Sequence, residues 1–294
     1  MLEENIPQTE RVNPQSAGFD QLSVEEIVVL LVEDQRTAVE AVLEQRSVIA
    51  RVVDETVGRL ERGGRLHYVG AGTSGRLGVL DASEMSSTFG TLPELVCAHI
   101  AGGESALTRA IEGAEDDDHA GEEAVQHVTP SDVVIGISAS GGARYVVRAI
   151  ETAREVGAYT VAICNSEGTA LARAAQVSIV LRTGPELLAG STRLKAGTSQ
   201  KIALNAISTA VMVRLGKVYD NRMVDVVATN EKLRRRALRL VMQIANCNEA
   251  RARELLEAAG GRVKIAIVMG RRGLSCDDAS KLLADAGGFL RACL

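Results

Sequence analysis

At residues 66–76 the chain reads Leu66-His67-Tyr68-Val69-Gly70-Ala71-Gly72-Thr73-Ser74-Gly75-Arg76. A short apolar run, Leu66 to Val69, leads into a turn of glycine and hydroxyl side chains, and a helical pattern over Gly75 to Thr88 follows. A strand that passes through a glycine turn into a helix is typical of the βαβ unit of a parallel sheet. Because the first N–H groups of a helix bind anions, the segment predicts a phosphate-binding loop.

A second turn of this kind, Ser138-Ala139-Ser140-Gly141-Gly142, follows the apolar run Val133 to Ile137. Short apolar runs alternate with helical patterns around both turns, which predicts an α/β fold with a doubly wound, parallel, five-stranded sheet. The strands are expected over Leu66–Val69, Glu94–Ile100, Val133–Ile137, Thr160–Cys164 and Val177–Leu181. Further helices are expected over Ser105–Ile111, Glu122–Val128, Tyr145–Glu155, Ala170–Ala174 and Gly197–Arg214. Loops at the carboxyl ends of parallel strands face one crevice, so we expect both turns to converge on one anion.

The segments on either side of the sheet domain are predicted to be helical. Residues 1–60 are expected to hold an extended arm over residues 1–22, then a pair of helices that starts at the capping pattern Ser23-Val24-Glu25-Glu26 and is broken once. This pair packs either against a partner subunit or across its own domain. Residues 61–230 form the predicted sheet domain, and residues 231–294 a small domain of three helices. Those helices are expected over Leu233–Asn246, Asn248–Ala258 and Ser275–Ala286, with Val263–Val268 as a further apolar helix start.

The composition excludes several classes of protein. The 294 residues are 46% hydrophobic and 24% charged, which is typical of a folded globular protein. The net charge of -5 and an aromatic content of only 2% argue against a nucleic-acid-binding surface. The one compact basic run, Arg234-Arg235-Arg236, is interpreted as a solvated helix face. The polar segment Met1 to Glu10 and the short apolar runs predict no signal peptide and no membrane association, hence a cytoplasmic protein.

The cysteines and histidines give no pattern of metal binding. The five cysteines are widely separated and form no C-x-x-C pair, and the four histidines are equally dispersed. We therefore predict no disulfide framework and no metal site. His67 and His99 fall in strand-like segments and are interpreted as core or edge histidines.

The spacing Gly70-x-Gly72-x-x-Gly75 also occurs in dinucleotide-binding loops. A nicotinamide site needs an acidic residue near the end of the next strand, but that strand ends His99-Ile100-Ala101-Gly102. The hydroxyl groups of Thr73 and Ser74 and the guanidinium of Arg76 suit a terminal phosphate dianion. The first turn therefore favours a sugar phosphate over a dinucleotide.

Five motifs resemble those of N-acetylmuramic acid 6-phosphate etherases, which have the sugar isomerase (SIS) fold. They keep the family's order, and the likeness runs from Thr9-Glu10-Arg11 to the helical C-terminus, where we expect a UBA-like domain. The motifs are Gly70 to Arg76, Asp81-Ala82-Ser83-Glu84, Gly113-Ala114-Glu115-Asp116, Gly136 to Gly141 and Ser191 to Lys201. The resemblance implies cleavage of the lactyl ether of N-acetylmuramic acid 6-phosphate to N-acetylglucosamine 6-phosphate and D-lactate, during recycling of cell-wall sugars. It also implies a cytoplasmic homodimer that needs neither a metal nor an organic cofactor.

By this resemblance, Glu84 and Glu115 correspond to the family's two catalytic glutamates. One carboxylate removes the C2 proton of the ring-opened sugar while the protonated partner assists the departing lactate oxygen, and water then adds back. We assign the base to Glu115 and the acid to Glu84, although the reverse assignment fits the residues equally well. From the residues alone, Glu84 also fits a helix surface and Glu115 a solvated loop. The predicted substrate-binding residues are Gly72, Thr73, Ser74, Gly75, Arg76, Ser138, Ser140, Gly141 and Lys195.

The second turn departs from the family pattern, and two other functions stay open. The family continues this turn with Gly-Arg-Thr-Pro-Tyr, whereas this chain reads Gly141-Gly142-Ala143-Arg144-Tyr145. We expect weaker phosphate binding or a slightly different ligand, with Arg144 as a replacement cation. An aldose-ketose isomerase would also use a glutamate base, but it usually needs a histidine beside a turn, and none is present. A non-catalytic sugar-phosphate sensor would not need both glutamates.

Overall fold

The computed structural model describes residues 6–226 and 230–294. The first five residues of the predicted arm, and residues 227–229 at the end of the predicted sheet domain, lie outside the described residues. The chain divides into two compact units. The first comprises the chain up to Ala82 together with Glu94–Ser208, and the second comprises Ser83–Pro93 and Thr209–Leu294.

The N-terminal segment is more helical and more often interrupted than predicted. Instead of an extended arm, it forms short 3-10 turns at Gln8–Glu10, Pro14–Ser16 and Phe19–Gln21. The predicted single break is wrong, because three helices follow: α1 (Val24–Asp34), α2 (Arg36–Glu44) and α3 (Arg46–Glu61). The breaks fall at Gln35 and Gln45, which keep nearly helical backbone angles. The apolar periodicity therefore runs through both breaks, and no glycine or proline marks them.

The first unit contains the predicted parallel sheet. Its strands are β1 (Leu66–Gly70), β2 (Val96–Ile100), β3 (Val133–Ile137), β4 (Tyr159–Cys164) and β5 (Val177–Val180). They lie in the order β2-β1-β3-β4-β5, and every pair is parallel, which confirms the predicted fold class. All residues of β1 and β3 are buried. Strands covered on both faces read as continuous apolar runs, which is why the sequence revealed them.

Helices cover both faces of the sheet. The sheet helices are α4 (Gly72–Phe89), α5 (Asp118–Ala124), α6 (Arg144–Glu155), α7 (Ala170–Ala174) and α8 (Lys195–Arg214). Val146 and Ile150 of α6 pack with Val69 and Val134 in one core cluster. Gly78 of α4 lies against Tyr68 on the opposite face of β1. The predicted helix at Ser105–Ile111 is only a 3-10 turn, Glu104–Leu107, and the helix predicted at Glu122–Val128 begins four residues earlier.

The second unit is mainly helical, with one hairpin that the sequence did not predict. Strands β6 (Val218–Tyr219) and β7 (Arg222–Met223) are antiparallel. The helices are α9 (Glu231–Ala245), α10 (Glu249–Ala258), α11 (Val263–Arg272), α12 (Cys276–Asp285) and α13 (Leu290–Cys293). The three predicted helices are present over residues 231–294, and α11 confirms the helix start predicted at Val263–Val268, so only the short α13 was not predicted. Seven consecutive residues of α11 are buried, all of them apolar except Lys264, so this run shows no helical period. Over residues 6–226 and 230–294, no helix has the length and apolarity that a membrane crossing requires.

Candidate active site

The strand order places both glycine-containing turns at one point of the sheet. In a sheet of order 2-1-3-4-5, the direction of the connections reverses between β1 and β3, and ligands bind outside the carboxyl ends of the strands at that point. Gly70, the last residue of β1, pairs with Ile137, the last residue of β3. The first turn starts directly after Gly70 and the second directly after Ile137. The prediction that both turns follow neighbouring strands at the carboxyl edge of the sheet is therefore confirmed, and their convergence on one anion stays a prediction.

Close packing of backbone atoms defines the first turn. A Cβ atom added to Gly70 would lie 2.6 Å from the backbone nitrogen of Gly75, and one added to Gly75 would lie 2.7 Å from the carbonyl oxygen of Gly70. No side chain fits at either position. Helix α4 begins at Gly72, whose φ of +52° favours glycine. The first N–H groups of α4, which have no partner within the helix, thus lie immediately beyond the end of β1.

The hydroxyl of Ser74 belongs to a buried polar network. It donates to Gln200 Oε1 at 2.8 Å, and the Gln200 amide donates to Asn165 Oδ1 at 3.0 Å. Asn165 Nδ2 in turn contacts Ser199 Oγ at 2.9 Å. The network joins the start of α4, the end of β4 and the first turns of α8. Because its proton is used here, Ser74 can offer a phosphate its backbone N–H but not its hydroxyl proton. The sequence did not reveal Asn165 or Gln200 as partners of this turn.

The guanidinium of Arg76 is hydrogen-bonded to two backbone carbonyl groups. It donates to the carbonyl oxygens of Leu107 at 3.2 Å and Arg109 at 2.8 Å. These carbonyls belong to the long connection that leaves β2. Arg76 therefore holds that connection against the first turns of α4, and we interpret it as a positioning residue.

Hydrogen bonds to its own serine side chains stabilise the second turn. Ser138 Oγ accepts from the N–H of Gly141 at 3.2 Å, and Ser140 Oγ accepts from the N–H of Gly142 at 3.3 Å. Gly141 has a φ of +67°, and a Cβ atom there would lie 2.4 Å from Thr169. Both hydroxyl oxygens act as acceptors in these bonds, which leaves their protons available for a ligand.

A cavity of about 500 Å³ opens beside the second turn. It is lined by Ser140 to Gly142, by the loop that follows β4 and by the N-terminal arm, which contributes Arg11. Ser166 lies in its wall, only 3% exposed, and its hydroxyl has no hydrogen-bond partner in the part of the chain that the structure describes. A buried polar atom without a partner requires an explanation, and a ligand would supply one. No sequence pattern pointed to Ser166 or to Arg11.

Two basic residues that were predicted to serve the substrate site, Lys195 and Arg144, are each paired with an acidic side chain. Lys195 is buried, and its Nζ lies 2.7 Å from Asp34 Oδ1. This ion pair joins α1 to α8, so Lys195 has a structural partner where a substrate contact was predicted. Arg144 lies 2.6 Å from Asp118, and that hydrogen bond lowers the pKa of the carboxyl. The role of Arg144 as a replacement cation for the second turn stays a prediction, and in this structure its guanidinium is paired with an exposed carboxylate.

The two predicted catalytic glutamates are both exposed. Glu115 lies in the 3-10 turn Ala114–Asp116, within the connection that leaves β2. Ala114 packs close to Gly102, since a Cβ atom added to that glycine would lie 3.3 Å from the methyl group of Ala114. The connection thus folds back over the carboxyl end of β2, the strand beside β1. Glu84 lies on α4, in the part of that helix that belongs to the second unit.

His67 and His99 form a pair on the neighbouring strands β1 and β2, in which His67 is buried and His99 half-buried. His67 Nδ1 lies 3.1 Å from His99 Nε2, and the rings are stacked. Burial, followed by the nearby His99, lowers the pKa of His67 to about 4, and burial lowers the pKa of His99 as well. Both side chains are thus neutral at pH 7 and lie in strands, as predicted for core or edge histidines, but Nε2 of His67 has no hydrogen-bond partner in the described part of the chain. Over the described ranges no His, Cys, Asp and Glu side chains are grouped as a metal site, and the absence of a metal stays a prediction.

The chain matches two family models and many curated relatives. Residues 48–154 match the N-terminal SIS domain of glucokinase regulatory protein, and residues 108–210 match the SIS domain. The chain is 49% identical to the N-acetylmuramic acid 6-phosphate etherase of Deinococcus radiodurans, over 97% of this chain and 94% of that protein. It is 48% identical to the etherase of Geobacillus thermodenitrificans, over 97% of this chain and 98% of that protein.

Solved structures show the same fold at low sequence identity. A phosphoheptose isomerase from Francisella tularensis superposes with a TM-score of 0.50 at 16% identity, over 65% of this chain and 99% of that chain. That likeness concerns the fold alone. The etherases, in contrast, share about half of their residues with this chain over nearly the whole length of both proteins. The chain belongs to the N-acetylmuramic acid 6-phosphate etherase family, within the SIS fold.

Proposed function

We propose that this chain is a carbon-oxygen lyase that cleaves the lactyl ether of N-acetylmuramic acid 6-phosphate. Water is consumed, and the products are N-acetylglucosamine 6-phosphate and D-lactate. The observation that carries the proposal is the identity of about 50% to etherases over nearly the full length of both chains. The two turns at the switch point of the sheet supply the phosphate site that such a substrate needs.

In the proposed complex, the phosphate is bound mainly by backbone N–H groups. The N–H groups at the start of α4 and the hydroxyl protons of Ser138 and Ser140 are available for it. Ser166 and Arg11, in the wall of the neighbouring cavity, are further candidates for polar contacts with the substrate. Arg76 and Lys195, which were also predicted to contact the substrate, hold the surrounding elements in place through their own partners.

The chemistry requires one basic and one acidic carboxyl group. In the open-chain form of the sugar, the C1 aldehyde acidifies the C2 proton. The Glu115 carboxylate takes that proton, the C2–C3 double bond forms, and the C3–O bond to lactate breaks. Glu84, in its acid form, gives its proton to the departing oxygen and then takes one from water, which adds to C3 as C2 is reprotonated. The chemistry is the same if the two roles are exchanged.

We further propose that the enzyme acts as a cytoplasmic homodimer in the recycling of cell-wall sugars. Helix α1 has no buried residue, and its apolar side chains form an exposed face. Val24, Val28 and Val32, spaced by four residues, are 78%, 52% and 65% exposed. Such a stripe favours packing against a second copy of the chain. No nucleic acid or membrane partner is proposed, because the net charge is -5 and no basic stripe is present.

The direct test is to incubate the purified protein with N-acetylmuramic acid 6-phosphate and to assay D-lactate. Release of D-lactate together with N-acetylglucosamine 6-phosphate is expected. Glu84→Gln and Glu115→Gln should each lower the rate by roughly 100-fold to 10,000-fold, since each removes a proton-transfer group. Glu104→Gln, which changes an exposed glutamate of the same connection as Glu115, is the matched control and should keep full activity.

Three other outcomes would count against the proposal. An isomerised sugar without lactate would indicate an aldose-ketose isomerase. Binding without turnover would indicate a sensor. Full activity of either catalytic variant would remove that glutamate from the mechanism.

A further inference from the structure

A second polar cavity lies entirely within the second unit. It measures about 350 Å³ and lies between α9 and the β6–β7 hairpin. Three arginines line it, Arg222 from the hairpin and Arg236 and Arg239 from α9, together with the amides of Asn221 and Gln243. We call it the arginine cavity. The glycine and serine turns of the proposed active site belong to the other unit.

The sequence spacing of α9 explains why these side chains share one face. Residues 236, 239 and 243 follow one another at intervals of three and four, so they lie one above the other on a helix. Arg222 reaches the same cavity from β7, which is too short and too polar to be recognised as a strand in the sequence. Two elements that are separate along the chain thus bring three guanidinium groups to one space.

No acidic residue lines the arginine cavity. Across residues 6–226 and 230–294, the guanidiniums of Arg222, Arg236 and Arg239 make no ion pair. Their neighbours on the same helix behave differently, because Arg234 and Arg235 both pair with Glu231, at 3.3 Å and 3.0 Å. The chain has 38 acidic residues against 33 basic ones, so acids are not scarce. The interpretation of the whole basic run as a solvated face therefore holds for Arg234 and Arg235 but not for Arg236.

Uncompensated like charges repel one another, and a bound anion removes that repulsion. The planar guanidinium group forms paired hydrogen bonds with phosphate oxygens. A phosphate dianion can form ion pairs with several cations at once. Side-chain amides can donate to, and accept from, hydroxyl groups. A cavity of about 350 Å³ has the size of a site for a small metabolite.

We propose that the arginine cavity binds the phosphate group of a small phosphate monoester, with the amides of Asn221 and Gln243 on its hydroxyl groups. The site is additional to the crevice of the first unit. Binding at this site does not require etherase activity, so the inference can be tested independently of the proposed function.

The test measures how many molecules of N-acetylglucosamine 6-phosphate the full-length protein binds, by equilibrium dialysis with labelled ligand. Two equivalents per chain are expected. Arg236→Gln/Arg239→Gln should weaken one of the two sites at least tenfold and leave the other unchanged. The matched control is Arg234→Gln/Arg235→Gln, which removes the same charge from the same helix and should keep both sites. Circular dichroism verifies that both variants are folded.

A chemical readout covers the case in which a double variant fails to fold. Phenylglyoxal modifies accessible arginines, and mass spectrometry of the peptides locates them. Inorganic phosphate and N-acetylglucosamine 6-phosphate should protect Arg222, Arg236 and Arg239, but not Arg234 or Arg235, whereas N-acetylglucosamine should protect none. Unchanged binding in Arg236→Gln/Arg239→Gln, equal loss in both double variants, or equal protection of all five arginines would overturn the inference. Two equivalents in a protein that releases no lactate would reject the proposed function and leave this site intact.

Discussion

Single residues of the first turn are fixed by the space available to them. Gly75 is the clearest case, because an added Cβ atom would lie 2.6 Å from Ile100 Cγ1 and 2.7 Å from the carbonyl oxygen of Gly70. The carbonyl oxygen cannot move without displacing β1, and Ile100 Cγ1 can move only if that buried side chain leaves its rotamer. The sequence predicted a tight turn here from the glycine spacing. The contact with Ile100 was not predictable, since it depends on how β2 lies beside β1.

Gly75→Ala should therefore destabilise the protein by roughly 1–3 kcal/mol, as overpacking does. Gly58→Ala is the control, because that glycine lies inside α3 and its added Cβ atom would meet only the end of the Arg62 side chain, at 3.4 Å. The control should keep or raise the stability by up to about 1 kcal/mol. Urea denaturation of both variants provides the comparison. Equal stability of Gly75→Ala and the wild type would contradict the described turn.

The buried His67 predicts a dependence of stability on pH. Its pKa falls from the usual 6.5 to about 4, so the folded protein keeps this imidazole neutral while the unfolded chain takes up a proton below pH 6.5. Acid therefore favours unfolding. The contribution is fully present above pH 6.5 and is lost as the pH falls toward 4, by up to about 3 kcal/mol. Urea denaturation at intervals of half a pH unit measures it.

The variant His67→Gln should show a shallower decline over the same pH range, with the remaining slope due mainly to His99. An exposed histidine supplies the control. His119→Gln, whose partner is the exposed Glu123, should leave the decline unchanged. Identical pH profiles for the wild type and His67→Gln would show that His67 is not held neutral in the folded state.

Among the helices and strands, those with a strong local pattern were predictable. Strand β3 was predicted with its exact bounds, because Val133 to Ile137 is a continuous apolar run between polar residues. The breaks between α1, α2 and α3 were missed because Gln35 and Gln45 leave the backbone nearly helical. The partners of Arg76 and Lys195 were missed for another reason, since they lie more than 30 residues away along the chain. Sequence patterns reveal elements, but they do not reveal which side chains join them.

Variants of Lys195 can show whether this residue links α1 to α8 or contacts the substrate. Lys195→Met would leave Asp34 buried without its partner, which should cost about 3–5 kcal/mol of stability. The double variant Lys195→Met/Asp34→Leu should recover most of that loss, because an apolar pair of similar volume often replaces a buried ion pair well. Thermal unfolding of both variants checks this. Unchanged stability of Lys195→Met with a large increase in KM would instead support the contact with substrate that the sequence predicted.

For the whole molecule, the topology determined more of the candidate site than any single motif. Once the order β2-β1-β3-β4-β5 is known, the crevice must lie where the turns after β1 and β3 meet. The sequence predicted this because both turns follow strands. It did not predict the wall formed by Ser166 and the N-terminal arm, since neither carries a motif and the two are far apart in the chain.

The proposed dimer is also a property of the whole molecule. Val28→Glu places a charge in the middle of the exposed apolar face of α1 and should convert the dimer to a monomer, seen as a halved mass in analytical ultracentrifugation. Val12→Glu, at a valine of the N-terminal arm that is 78% exposed, is the control and should leave the mass unchanged. A monomeric wild type, or a dimeric Val28→Glu, would show that this face does not form the interface.

The position of the phosphate group in a crystal of the protein with N-acetylglucosamine 6-phosphate tests the central claim most directly. We predict phosphate density between the start of α4 and the Ser138–Gly142 turn, within hydrogen-bond distance of the backbone N–H groups that follow Gly72. Additional density in the arginine cavity is compatible with this result. A sugar phosphate bound only at the amino ends of β1 and β3, with both turns empty, would contradict it.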